Sequence, residues 1–333
     1  MRFLDCTMRD GGNVVGNGFD AELTRMMLKG LIDNGITEIE YGNPKGIGAY
    51  EVDNVIAPLT DEQYLDEAQP FLATGATIGM FLNAKRFRQK YVDLAAAKGI
   101  KFLRVGANAG EGPKISLEPI HAVKKAGLKA YYSLMKAYVS SAKELAEEAK
   151  VLEDAGLDCI TIMDSAGTMV PEQVTEYTEA MVKAVKIPVG FHCHNNLGMS
   201  AANAVAAWRA GAKVLDGGLL GMARSAGNMA TEVGIAIMQR YGEYKDVNLY
   251  GLLEFLDNEL IPAMEKHNYH VAIKPLDLVL GMAGCHSSFV KKFKAVAKEE
   301  GVNLYKLIAD VSAIDRGNPS EELMRKVAAE LKK

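Results

Sequence analysis

Residues 142–192 read AKELAEEAKVLEDAGLDCITIMDSAGTMVPEQVTEYTEAMVKAVKIPVGFH, and the pattern changes three times along that stretch. Residues 142–155 carry the long amphipathic pattern of a helix, which Gly156 ends. Residues 159–163 form a short apolar run of strand length. Residues 171–185 read as a second helix, with Pro171 in its first turn, and 189–192 as a second strand. The same alternation extends outward in both directions. Strands fall at 3–7, 38–41, 77–82, 102–105, 130–134 and 214–217. Helices fall at 22–34, 60–71, 86–97, 117–126, 200–210 and 231–240. A recurrent glycine before the next strand (Gly35, Gly99, Gly156, Gly211) marks a repeating unit. Eight strand–helix units in sequence spell the α/β class and a (β/α)8 TIM barrel. A doubly wound open sheet is the competitor, but its glycine fingerprint is missing after the first strand.

After Tyr241 the alternation stops. Residues 249–259, 276–282, 287–300, 304–314 and 320–331 read as helices, so the barrel is assigned to 1–243 and a C-terminal helical appendage to 244–333. The spacer 261–274, which holds Pro262, is expected to lie across the barrel mouth.

The chain has 333 residues, 49% of them hydrophobic and 24% charged, which is ordinary globular composition. A formal charge of −4 offers no concentrated basic field for nucleic acid or an anionic membrane. Four scattered cysteines with no CxxC pair suit reduced, packed thiols. The first residues lack a signal peptide's apolar stretch, and nowhere do eighteen apolar residues run together, so a cytoplasmic chain is expected.

The seventh strand runs into Phe191-His192-Cys193-His194. Side chains alternate along a strand, so His192 and His194 share a face and Cys193 takes the other. Two imidazoles about 7 Å apart along a strand can close on one divalent ion with modest tilting. The competing reading is a pair of partly buried histidines bonded to the backbone. A carboxylate stands in the turn Met8-Arg9-Asp10-Gly11-Gly12 after the first strand. If the barrel brings both segments to one rim, Asp10, His192 and His194 make a facial two-histidine, one-carboxylate set with open positions. Barrel enzymes carry reactive groups at the C-terminal ends of strands. Those positions here also hold Arg9, Asn13, Lys45, Asn83, Lys136 and Ser165. Each alone is explained as a loop residue; together they mark one polar rim.

Three separated motifs, LDCTMRDGG (4–12), FHCHNN (191–196) and GMARSAGNMATE (221–232), resemble the DRE-TIM metallolyase superfamily. Within it the chain is similar to the class II pyruvate aldolases, the 4-hydroxy-2-oxovalerate aldolase branch above all. Residues 37–42, 103–105, 164–167 and 281–289 carry that likeness through the whole chain. The resemblance places Asp10, His192 and His194 on the metal ligands, in agreement with the strand argument. It implies a divalent ion, with Mn²⁺ the leading choice and Mg²⁺, Co²⁺ or Zn²⁺ also suited to the donors. It also implies a small 2-oxo acid substrate, Arg9 steadying the oxygen that gains charge, and Asn228 where some members use an asparagine ligand.

Two departures stand out. Those aldolases have a histidine base at the position of Asn13, whose amide takes up no proton near neutral pH. Their tail motif has a tyrosine where this chain has His286. One reading moves the proton-transfer role to His286; the other leaves His286 a bystander with a different base, such as metal-bound hydroxide. The Asn83-Ala84-Lys85-Arg86 turn with Lys45 and Lys136 suggests an anionic group on the aldehyde. The expected reaction is reversible cleavage of a 4-hydroxy-2-oxo acid to pyruvate and an aldehyde. A Claisen-type acyl-CoA/2-oxo acid condensing enzyme and a barrel that only binds are the alternatives. For the helical tail, the resemblance implies docking of an acylating aldehyde dehydrogenase; a homo-oligomer through the same helices is the other expectation.

Overall fold

The alternation closes into a ring of eight parallel strands in the computed structural model, which describes residues 1–269 and 275–332. The strands are β1 (Arg2–Asp5), β2 (Glu38–Tyr41), β3 (Thr77–Asn83), β4 (Phe102–Asn108), β5 (Lys129–Met135), β6 (Cys159–Asp164), β7 (Val189–Cys193) and β8 (Val214–Gly217). Pairing of β1 with β8, Arg2 against Val214 through Asp5 against Gly217, completes the ring. Helices cover the outer face, so β6 and β7 are buried along their whole length, which is why they read as continuous apolar text.

Arg104 on β4 and Asp216 on β8 are not sheet neighbours, yet their side chains meet at 2.6 Å, so that parity points into the barrel. Alternation then layers the interior. Leu4, Phe102, Tyr131, Cys159 and Val214 form an apolar cluster toward the N-terminal ends. Glu40, Arg104 and Asp216 follow, two residues further along their strands than Glu38, Phe102 and Val214. His192 and Phe81 lie toward the C-terminal mouth. Gly106 makes room for Phe81, since a Cβ there would lie 2.4 Å from its ring.

Helix starts follow their caps. Asp20, Thr60 and Ser141 each accept from the backbone N–H three residues on, and Thr60–Gln63 and Ser141–Glu144 form reciprocal capping boxes. Three departures from the sequence reading have local causes. The chain after β1 turns at once into a helical turn, Thr7–Asp10, instead of continuing as strand. The helix read from residue 86 begins at Gln89, because Ala84–Arg86 is a 3-10 turn capped by Asn83 and Arg88 is extended. The helix from Leu249 passes through a π turn at Leu256–Leu260 and continues as Ile261–Glu265, so residues 261–265 are not a loop over the mouth. Pro262, with no N–H to give, lies two residues past the end of that π turn. Residues 270–274, the end of the expected spacer, lie outside the described residues.

Val247, Leu252, Phe255, Leu256, Leu260 and Met264 join the apolar cluster of the barrel and its helices. A separate cluster, from Leu280 to Ala328, holds the last helices together. Those helices dock on the mouth through specific polar contacts: Arg316 donates to the Tyr138 carbonyl at 2.7 Å, and Lys136 to the Gly317 carbonyl at 2.9 Å. No helix among the described residues is long and apolar enough to cross a membrane.

Candidate metal and substrate site

The Asp5 carboxylate ends β1 by accepting from the Thr7 N–H at 2.9 Å and the Thr231 hydroxyl at 2.6 Å. The Asp10 N–H closes the helical turn onto the Cys6 carbonyl at 2.8 Å. Arg9 and Asp10 are thereby buried over the mouth. From β7, the Nε2 atoms of His192 and His194 each lie 3.6 Å from Oδ2 of Asp10. The three ligand atoms fall within 4.8 Å of one another, the one such metal-competent group among the described residues.

The donors fit a divalent ion. Asp216 Oδ2 lies 3.2 Å from His192 Nδ1, where it accepts the Nδ1–H hydrogen bond and leaves the Nε2 lone pair facing Asp10. Asn228 Nδ2 donates to Asp10 Oδ2 at 3.0 Å, and the buried Asn228 Oδ1 has no partner among the described residues. Burial pushes His194 down to about 4 against the pull of Asp10, so its imidazole is in the neutral, ligating form. Burial would raise the Asp10 carboxyl, but Arg9 and then the imidazoles override it and hold it well below the usual carboxylate range.

Behind the ligands runs a buried chain of alternating charge. Arg9 pairs with Asp10 at 3.1 Å and with Glu40 at 2.6 Å. Arg104 lies 3.6 Å from Glu40 and 2.6 Å from Asp216, which returns to His192. One imidazole and one carboxylate of the ligand set are therefore oriented from opposite ends of a single ionic chain. We expect Asp216→Asn to weaken Mn²⁺ binding about 10–100-fold, the usual cost of losing a partner behind a ligand. Titration followed by the Mn²⁺ electron paramagnetic signal checks this; an unchanged affinity would mean that His192 needs no such support.

A cavity of about 360 Å³ opens above the ligands. Arg9, Asp10, Lys45, Asn83, Lys136, Ser165, both histidines and His286 all line it. Their roles differ. Asn83 caps the 3-10 turn by accepting from the Lys85 N–H, and the Ser165 hydroxyl accepts from the Lys136 N–H. The Lys136 ammonium reaches the Gly317 carbonyl and lies over the Phe289 ring. Lys85 turns outward to Glu111, and Arg86 pairs with Asp53. Asn13 does not line the cavity: it donates to the Asp10 carbonyl at 2.8 Å and accepts from Lys45 Nζ at 3.2 Å. Asn228 likewise sits behind Asp10.

The HMGL-like family profile matches residues 1–258. The chain belongs to the HMGL-like family. Curated relatives named 4-hydroxy-2-oxovalerate aldolase are similar over its whole length. That of Carboxydothermus hydrogenoformans is 31% identical over 100% of this chain and 98% of its own. That of Moorella thermoacetica is 31% identical over 99% and 96%. The solved HMG-CoA lyase of Bacillus subtilis superposes with a TM-score of 0.68 at 20% identity, over 83% of this chain and 97% of its own, a likeness of fold. The motifs in which this HMGL-like chain resembles the DRE-TIM superfamily are thus those of its own family.

Four residues that matter in this HMGL-like site had no role in the sequence reading. Glu40, Arg104 and Asp216 are charged residues at the inward parity of apolar strands, a signal that was available. Arg224 lines the cavity from the loop after β8. The left-handed Ser225 beside it (φ 62°) is a conformation that its sequence does not announce.

Proposed function

We propose that this carbon–carbon lyase cleaves a 4-hydroxy-2-oxo acid to pyruvate and an aldehyde, reversibly, and that Asp10, His192 and His194 hold Mn²⁺. The convergence of those three ligands beside Arg9, at the mouth of a cavity, carries the reading; the names of the full-length relatives support it. When bound, the ion supplies Lewis acidity toward the carboxylate and keto oxygens of a 2-oxo acid.

Arg9 is fixed through Nε by Glu40 and through Nη1 by Asp10, with Phe81 5.3 Å beneath, while its Nη2 has no partner among the described residues. It donates to the charge that develops on the 2-oxo oxygen as the C3–C4 bond breaks. His286 takes the proton of the 4-hydroxyl. The electron pair of the broken bond passes to C3, C4 leaves as the aldehyde carbon, and a proton returned to C3 completes pyruvate. His286 Nδ1 accepts from the Ser288 N–H at 3.3 Å and lies 2.8 Å from the Ser288 hydroxyl, so Nδ1 is the unprotonated nitrogen and takes up the proton through that hydroxyl, which also lines the cavity. The aldehyde half carries an anionic group, since the Lys45 ammonium lines the cavity without a carboxylate partner among the described residues.

Burial, with Arg224, His194 and Lys136 adding to it, holds His286 well below its ordinary value. A base so placed stays unprotonated into acid, so the acid limb of kcat/KM falls below the ~6.5 of free imidazole. His286→Ala lowers kcat by about 10²–10⁴-fold and removes that limb. An unchanged rate and pH profile in the variant would assign the base elsewhere. The reaction itself is tested with synthetic 4-hydroxy-2-oxo acids: pyruvate release is expected, whereas CoA release from acetyl-CoA and a 2-oxo acid, without pyruvate release, would overturn the proposal.

A further inference from the structure

Five cations line the cavity, and three are already accounted for. Arg9 is held between Asp10 and Glu40. Arg86 pairs with Asp53 and donates to the Lys45 carbonyl at 2.8 Å. Lys136 serves the junction with the tail. Lys45 and Arg224 remain. The Lys45 ammonium has one bond, to the amide oxygen of Asn13. Arg224 makes no side-chain hydrogen bond or ion pair among the described residues. Asp10 is the one carboxylate in the described lining, and Arg9 and the two imidazoles surround it. A divalent ion makes the cavity still more positive, and the carboxylate of a 2-oxo acid is used at that ion. Two cations in the cavity are left for a further anionic group of the substrate.

Both are held in place. Asn13 is fixed to the Asp10 carbonyl at 2.8 Å and thereby fixes Lys45. The Arg224 loop is pinned on both sides, by the Asn196 amide on the Ser225 hydroxyl at 2.8 Å and by the Glu232 carboxylate on the Leu220 N–H at 3.1 Å. Left-handed backbone at Leu220, Gly221, Ser225 and Gly227 sets its course. Ordered cations without a counterion are what an anion site looks like before its ligand arrives, and a guanidinium presents a fork to two oxygens of a carboxylate or phosphate.

We infer that Arg224 and Lys45 are the binding site for the terminal anion of the aldehyde half, so that the chain selects short aldehydes bearing a carboxylate or a phosphate; the inference rests on the aldolase reading above. Asn13 then has a task. It positions a substrate-binding ammonium. Desolvation pushes Lys45 down to about 8, with Arg224 adding to the effect, and lowers Arg224 as well; an arriving anion relieves both.

The test uses Mn²⁺-loaded protein, pyruvate, and three aldehydes: succinic semialdehyde, glycolaldehyde phosphate and uncharged butanal. We expect kcat/KM for at least one anionic aldehyde to exceed that for butanal by about 100-fold or more. Whichever of the two is preferred separates carboxylate from phosphate recognition. In Arg224→Gln that ratio falls at least tenfold, Arg224→Lys restores part of it, and Lys45→Met lowers it by a smaller factor. Exchange of the pyruvate methyl protons in D₂O is followed in parallel. Exchange with butanal accepted as well as both anions, or with a ratio untouched in Arg224→Gln, overturns the anion site and leaves the aldolase reading standing. Absence of exchange and of all three condensations overturns the aldolase reading and the anion site with it.

Discussion

Asp10→Asn is expected to abolish Mn²⁺ retention and to lower pyruvate release by at least about 10³-fold, the scale of removing a transition-state charge stabiliser outright. Asp10 supplies the one anionic oxygen that faces both imidazoles, at 3.6 Å from each Nε2. An amide in its place keeps the shape and loses the charge, so two neutral imidazoles are left to hold the ion beside the Arg9 guanidinium. The substitution also removes one of the two carboxylates that orient Arg9, leaving only Glu40. Metal content after gel filtration and steady-state kinetics on the same sample check both parts. An Asp10→Asn protein that keeps one Mn²⁺ per chain and turns over normally would contradict the ligand assignment.

Arg104→Met is expected to cost about 3–5 kcal/mol of stability, because it leaves the buried Asp216 carboxylate without its guanidinium, while Glu40 keeps Arg9. Arg104 is 1% exposed and stands between Glu40 and Asp216 inside the barrel. Burial would raise the Asp216 carboxyl; Arg104 foremost, with His192, holds it below its usual value. A carboxylate depressed on folding contributes stability above its unfolded pKa of ~3.9 and loses it as pH falls through the folded value. In the variant that carboxyl is raised instead, and its native form gains protons first. The deficit is therefore full at neutral pH and narrows as pH falls through the carboxylate range. Urea unfolding at neutral and acidic pH measures it; a deficit below about 1 kcal/mol at neutral pH would mean that water, not Arg104, satisfies the pair.

Much of this was legible because the physics is local. Strand–helix alternation and the glycines before strands gave the barrel. The spacing of His192 and His194 puts both on one face whatever else the chain does. Asp10 was found through its motif, but its perch on a helical turn depends on Asp5 being bound by Thr231, 226 residues away, which no local pattern reveals. Pro262 pointed to a loop, and a π turn next to it kept the helix going. The ionic chain Glu40–Arg104–Asp216 joins three strands, two of them on opposite sides of the barrel, so its members look like isolated charges in apolar runs until the ring closes. Arg224 is one charge in a loop after the eighth strand, and only the closed cavity shows which charges have partners.

The most direct test of the central claim, that Asp10, His192 and His194 grip a cation on which a 2-oxo acid reacts, is exchange of the pyruvate methyl protons in D₂O by nuclear magnetic resonance. The account predicts exchange in the Mn²⁺-loaded protein, loss on chelation and recovery when Mn²⁺ is returned. Protein that binds Mn²⁺ yet leaves those protons untouched, or that exchanges them equally well after chelation, would contradict it.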